Sequence, residues 1–237
     1  MRTTGLNLVI PEKADPERDL VADRWRAHGG TVMRIGRFWD PPELQREAVR
    51  IYANDTFALV LAQKLNLRLV SPADDLLLRL PAESVGRCIR VLNLREAGDL
   101  LYPTFVKPVV PKQFRAGVYE TWSQLKAECS GLDLEVQIYE SEVVGFDAEV
   151  RGFILQGQVQ DAAMYEGSAP IDPAMEFLSA VARNPALPAA CVLDVGHVPG
   201  RGWMIVEANA AWGAGLNGCD PDKVLGSIAH ATHPIWP

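Results

Sequence analysis

Two apolar runs near the carboxyl end, Cys191-Val192-Leu193-Asp194-Val195 and Trp203-Met204-Ile205-Val206-Glu207-Ala208-Asn209, are separated by Gly196 and the segment His197-Val198-Pro199-Gly200-Arg201-Gly202. That segment is rich in residues that reverse a chain, so the two runs read as an antiparallel hairpin. With Gly196 facing Trp203, Asp194 faces Ile205 and lies diagonal to Glu207. Side chains alternate across a strand, which puts Glu207 and Asn209 on one face, together with Asp194. Two carboxylates and an amide oxygen then converge. That donor set suits Mg²⁺, a hard cation held by one or two carboxylates together with substrate phosphates, and a nucleotide is the natural partner. The competing reading is a solvated hairpin face, the ordinary fate of strand carboxylates. Against it, Glu207 and Asn209 follow an apolar run and precede Ala210-Ala211-Trp212-Gly213-Ala214-Gly215, small residues that let a ligand approach the backbone.

The pattern Asp194, turn, Val206-Glu207-Ala208-Asn209 resembles the metal- and phosphate-binding hairpin of the ATP-grasp superfamily. Phe105-Val106-Lys107-Pro108 is similar to that family's nucleotide-binding lysine strand. Ser141-Glu142-Val143-Val144-Gly145-Phe146-Asp147-Ala148-Glu149-Val150-Arg151 is similar to the adenine hinge and E-x-R strand of a compact, mostly uncharacterised branch. The likeness runs from about Ser84 to the end of the chain. It implies an ATP-grasp fold preceded by a small parallel α/β (pre-ATP-grasp) unit, with a boundary near Pro81: residues 1–81, then 82–237.

The bulk properties suit that expectation. The 237 residues can bury a sizeable core as one large domain or two small ones, and 48% apolar with 22% charged residues is the balance of a soluble globular protein. No apolar stretch is long enough to span a bilayer, and Glu12, Lys13, Asp15 and Glu17 follow too closely on Val9-Ile10 for a signal-peptide core, so a cytoplasmic location and no membrane partner are expected. A net charge of -7 without a long Lys/Arg run argues against nucleic acid as a partner. The four cysteines, Cys88, Cys129, Cys191 and Cys219, lack C-x-x-C spacing and read as reduced packing residues. His230 and His233 have no third zinc ligand in sequence reach and read as surface or cap positions.

Along the chain, strands are expected at 6–10, 31–35 and 67–70, with helices from 16 to the Gly29-Gly30 stop, over 41–50, and from an Asn54-Asp55-Thr56 cap to about 65. Alternation of this kind makes a parallel α/β unit. Beyond Pro81 we expect a helix through 90, strands over 104–110, 135–139, 149–155 and 158–164, and helices over 119–129, 172–183 and 222–231, an α+β arrangement able to clamp a ligand. Gly213-Ala214-Gly215-Leu216-Asn217-Gly218 satisfies G-x-G-x-x-G, yet too little chain follows for a dinucleotide-binding βαβ unit. These glycines instead suit a close backbone approach to phosphate or metal-bound water beside Asn209.

The resemblance implies a role for each candidate residue. Lys107 would contact phosphate and adenine; alternatively it is an edge lysine that discourages sheet pairing. Glu142, the better match to the hinge, and Glu140 would accept ribose hydroxyls, or else are strand-end charges. Arg151 would meet charge on a transferred phosphoryl group, with Glu149 orienting it; without the resemblance the two are a weak cross-strand pair. Arg87 falls where the first nucleotide-contacting base is placed. A glycine-rich phosphate flap is reduced to Gly117, so Lys112 or Arg115 closes over the phosphates, or both belong to a solvated basic turn. Asp194, Glu207 and Asn209 would hold Mg²⁺.

The activity implied is ATP-dependent joining of a carboxylate to an amine through an acyl phosphate, with small-molecule or peptide substrates and a homodimer as one expectation, since these ligases often pair. Two other readings stay open, a nucleotide-binding or partner-interaction module without chemistry and a small-molecule kinase. The full presumed ligand set argues against the first, and amine dependence of ADP release separates the second. Ile235 and Trp236 would dock on a neighbouring subunit or fold back on their own domain.

Overall fold

Leu8, Val9 and Ile10 are wholly buried in β1 (Asn7–Pro11), the centre of a parallel sheet. The computed structural model describes residues 3–235; Trp236 lies outside them. Parallel neighbours require a crossover, and α1 (Pro16–Ala27) provides it before β2 (Thr31–Ile35). Asp15 caps α1 by accepting from the Arg18 amide at 2.9 Å, and Pro16 sits in the first turn, where no donor is lost. The third parallel strand, β3 (Val49–Ile51), pairs on the other side of β1, giving the order β2-β1-β3. The 41–50 segment is therefore not the expected helix but an irregular stretch that leads into β3. Pro41-Pro42 removes two backbone donors, and Val49 and Ile51 are apolar, β-branched residues buried in the sheet. Then α2 (Asp55–Leu65), capped by Asn54 and closed by Asn66 in the left-handed region, leads to β4 (Leu67–Leu69). β4 leaves this sheet and pairs with β13 (Thr232–Pro234).

Short helices α3 (Leu76–Arg79) and α4 (Ala82–Val85) follow. α4 stops well short of residue 90, the expected end of this helix, because Gly86 (φ 69) ends it. A Cβ there would sit 2.6 Å from Met204 Cβ, so the turn is pressed against the hairpin. β5 (Ile89–Asn93), a 3₁₀ turn over Leu94–Asp99, β6 (Thr104–Pro108), β7 (Gly117–Tyr119), α5 (Trp122–Glu128) and β8 (Gln137–Ser141) build an antiparallel sheet ordered β5-β8-β6-β7. A second antiparallel sheet, β10-β9-β11-β12, comprises β9 (Ala148–Leu155), β10 (Gln158–Gly167), β11 (Ala190–Val198) and β12 (Gly202–Asn209), with α6 (Ile171–Val181) inserted after β10. Finally α7 (Pro221–Ala229) precedes β13.

Two of the apolar clusters lie on the β9–β12 sheet. One joins Leu8, Trp25 and Leu61 to Phe153, Val192, Val224 and Ile228, so the first strands and the last helix share a core. Another packs Leu178 of α6 against Val150, Leu193 and Ile205. Gly152 makes room for that helix, since a Cβ there would lie 2.8 Å from Leu178 Cδ1. Among the described residues no helix is long and apolar enough to cross a membrane.

Candidate active site

The hairpin forms, but in a different register from the simple count. Gly196 faces Met204 and His197 faces Trp203; a bulge then leaves Val206 extra, so Asp194 lies directly opposite Glu207. Asp194 was expected opposite Ile205, and the shift tightens the acidic pair from diagonal to facing. On its other side Asp194 faces Arg151 of β9. Three strands thus bring Arg151, Asp194, Glu207 and Asn209 into one row.

The row is closely bonded. Arg151 Nε and Nη2 donate to Asp194 Oδ1 and Oδ2 at 2.8 and 2.6 Å, a bidentate fork, and Nη1 donates to the Gly215 carbonyl at 3.0 Å. Asn209 Nδ2 donates to Asp194 Oδ2 at 3.1 Å and to Glu207 Oε1 at 2.9 Å. Asp194 is 1% exposed. Burial raises its carboxyl above the usual carboxylate range, and the fork from Arg151 opposes that rise. Burial alone would lower Arg151, but its hydrogen bonds to Asp194 hold it above its ordinary value. The guanidinium also stands 5.8 Å from the centre of the Tyr165 ring, whose hydroxyl donates to Glu149.

Beside the row, a cleft of ≈ 370 Å³ opens between the two antiparallel sheets. Its walls are apolar (Leu77, Ile89, Phe105, Val118, Val143, Val144, Phe146 and Val206), and a few polar groups converge on it: Arg87, Lys107, Ser141, Glu142, Glu149 and Glu207. An apolar slot with a small set of convergent polar groups is the usual form of a small-molecule site. Lys107 stands 5.4 Å from the centre of the Tyr139 ring. Burial lowers its pKa, Glu207 pulls it back up, and Arg87 lowers it further, so lysine, glutamate and arginine share one electrostatic neighbourhood. Arg87 donates to the carbonyls of Ile205 and Val206 at 2.6 and 3.2 Å, which fastens the bulge to the turn between α4 and β5. Glu142 receives Arg201 Nη1 at 2.6 Å and is held below the ordinary glutamate range by that bond.

Lys107, Arg87, Glu142, Glu149 and Glu207 therefore line the cleft, and Arg151, Asp194 and Asn209 form the row that continues from Glu207. Glu140 lies elsewhere. Its neighbours Tyr139 and Ser141 line the cleft, so alternation turns Glu140 away to accept from Arg90 Nε at 2.8 Å and Thr104 Oγ1 at 2.9 Å. Lys112 pairs with Asp55 at the start of α2 and lines a separate open hollow of ≈ 700 Å³ beside Pro11 and Ile35. Arg115 is exposed in the loop before β7. Tyr165 and Arg201 join the site without any local sequence signal; only the paired strands bring them in.

Among the described residues no three His, Cys, Asp or Glu side chains cluster as a metal site. The hairpin carries two carboxylates and one amide, of which Glu207 reaches the cleft; Asn209 turns its Nδ2 toward both acids, so its oxygen would face an ion only with the amide turned over. That chemistry fits a Mg²⁺ ion that takes its remaining ligands from phosphate and water.

A family model described as ATP-grasp domain, R2K clade family 2, matches residues 85–226. The chain belongs to this ATP-grasp family. Solved ATP-grasp structures share its fold. A RimK domain protein ATP-grasp from Sphaerobacter thermophilus DSM 20745 superposes with a TM-score of 0.62 at 16% identity, over 94% of this chain and 98% of that one. N5-carboxyaminoimidazole synthase from Aspergillus clavatus, in complex with ADP and 5-aminoimidazole ribonucleotide, gives 0.62 at 12% identity, over 100% of this chain and 79% of that one. The ATP-grasp ligase PsnB, complexed with a phosphomimetic variant of its minimal precursor, Mg and ADP, gives 0.53 at 14% identity, over 96% of each chain. No curated protein matches this chain in sequence. Both antiparallel sheets that flank the cleft fall within the matched residues 85–226.

Proposed function

We propose that this ATP-grasp protein is an ATP-dependent carboxylate–amine ligase. A carboxylate oxygen attacks the γ-phosphorus of ATP, ADP leaves, and the acyl phosphate is attacked by an amine to give an amide and inorganic phosphate. The observation that carries the reading is the continuity of an apolar, lysine-bearing cleft with the Arg151–Asp194–Glu207–Asn209 row. On this reading residues 1–81 are the pre-ATP-grasp unit and 82–237 the nucleotide-binding unit.

The base lies in the apolar slot along the 143–146 segment, with Glu142 at its edge for ribose hydroxyls. Lys107, partly desolvated, binds the α- and β-phosphates with a donor that needs little reorganisation, and Arg87, whose other N–H groups hold Ser141 and the Val85, Ile205 and Val206 carbonyls, adds charge and one Nη2–H beside it. Glu207, Asn209 and Asp194 would hold Mg²⁺, which when bound supplies neutralising charge to the phosphates. Arg151, fixed on one edge by Asp194, presents its remaining N–H groups to the transferred phosphoryl group. Glu149 keeps Tyr165, and through that ring the guanidinium, in place. Substrates are a small-molecule or peptide carboxylate and an amine.

Calorimetry of ATP with and without Mg²⁺ tests this. Wild type binds with Mg²⁺ dependence, and Glu207→Ala/Asn209→Ala loses more than about tenfold in affinity, some 1.4 kcal/mol. A folded wild-type protein that fails to bind ATP excludes the ligase; ADP release that is independent of any amine identifies a kinase instead.

A further inference from the structure

The loop after Asn209 carries the G-x-G-x-x-G pattern, and the structure shows what its backbone donors do. Glu17, in the first turn of α1, accepts from the amides of Leu216 and Asn217, each at 2.9 Å and each by a different carboxylate oxygen. Its partners lie about two hundred positions away in sequence. Gly215 permits this approach, because a Cβ there would meet Glu17 Oε2 at 2.6 Å. The hydroxyl of Tyr52, a buried residue just after β3, donates to the Ala214 carbonyl at 2.8 Å. The Ala53 amide donates to the Trp212 carbonyl at 2.9 Å. The parallel unit therefore grips this loop at Trp212, Ala214, Leu216 and Asn217.

The same loop passes that grip to Arg151. The Gly215 carbonyl accepts Nη1 at 3.0 Å, while Asp194 takes Nε and Nη2. A guanidinium has five N–H donors in one plane, so an acceptor on Nη1 in addition to the Asp194 fork fixes both its tilt and its reach. Asp194 alone leaves it free to rock about the fork.

We infer that Glu17 and Tyr52 are positioning residues for Arg151, acting through the 214–217 loop and the Gly215 carbonyl. Neither contributes to the cleft that would hold the nucleotide, so their influence falls on the guanidinium and not on ATP affinity. The inference rests on the assignment of Arg151 to the transferred phosphoryl group.

The test uses the full chain and ¹⁵N-detected exchange of the Arg151 Nε–H with water, its resonance assigned by its absence in Arg151→Lys. In wild type this proton is protected. Glu17→Ala is expected to speed its exchange by at least about tenfold, the scale of one charge-assisted hydrogen bond. Glu17→Gln, which keeps one acceptor oxygen, and Tyr52→Phe, which removes one donor, fall between. MgATP affinity by calorimetry stays within about threefold of wild type in all three, less than the tenfold that 1.4 kcal/mol represents. Unchanged Nε–H exchange in folded Glu17→Ala and Tyr52→Phe overturns the inference, as does a parallel tenfold loss of MgATP affinity, which would mark Glu17 as a support of the whole site. Should Glu17→Ala not fold, Glu17→Gln and Tyr52→Phe decide by the same criteria. Failure of wild type to bind MgATP sinks the ligase reading alone, because the exchange series needs no nucleotide.

Discussion

Asp194 and Arg151 concentrate the energetic risk of this site. A carboxylate 1% exposed is tolerable only because two guanidinium N–H groups and an amide N–H satisfy its oxygens. Removing one partner strands the other charge in the sheet. Arg151→Ala is therefore expected to cost about 3–5 kcal/mol in urea unfolding, and Asp194→Ala a similar amount, with the double variant much less destabilised than their sum. Additive losses would show that the pair is not coupled. A milder effect belongs to Glu142, whose carboxyl Arg201 holds below its ordinary value. Because the folded pKa is the lower one, this stabilisation is present above the unfolded glutamate pKa and disappears as pH falls through the folded one. Glu142→Gln should thus unfold more easily than wild type at neutral pH and match it in acid, as read from paired urea curves across that range.

At the scale of elements, the antiparallel hairpin, both capped helices of the first unit and the lysine strand β6 were legible, since each depends on neighbours within a few residues. Register was not. The bulge at Val206 has no local sequence mark, and it arises where Arg87, from 119 positions earlier, holds the Val206 carbonyl. The 41–50 segment forms no helix because burial in a sheet, invisible locally, decides the fate of Val49 and Ile51. Gly86 joins these two levels. Its φ of 69 ends α4, and its missing Cβ lets Met204 close on the turn. Gly86→Ala combines a left-handed backbone costing about 1–2 kcal/mol with a steric clash, so a loss above that range is expected in thermal or urea unfolding. A loss within a few tenths of a kcal/mol would mean that the turn and the hairpin are not pressed together.

At the scale of the whole molecule, the last strand is sewn to the first unit, and the candidate site lies where that seam meets the β9–β12 sheet. β13 pairs with β4, the Val70 amide donates to the Ala231 carbonyl, and the Ile235 amide donates to the Asn66 carbonyl. Glu17, Tyr52 and Ala53 hold the loop beside Arg151 from the same unit. No sequence pattern announces contacts across 160 to 200 positions, which is why the convergence of Asp194, Glu207 and Asn209 on the hairpin was readable while the residues that brace the neighbouring loop were not. One atom tests the seam. β3 is an edge strand of its sheet, and its outward Ile51 amide finds its acceptor in Thr232 Oγ1 at 3.2 Å, on a side chain that is itself fully buried. Thr232→Val keeps the shape and removes the acceptor, leaving a buried N–H unpaired at a cost of about 1–3 kcal/mol. Amide exchange then distinguishes a local from a global role. If the seam carries the stability of the first unit, the Ile51 amide and those of β1 and β4 lose protection together, while the β5-β8-β6-β7 sheet is unaffected. Faster exchange at Ile51 alone would confine Thr232 to satisfying a single edge.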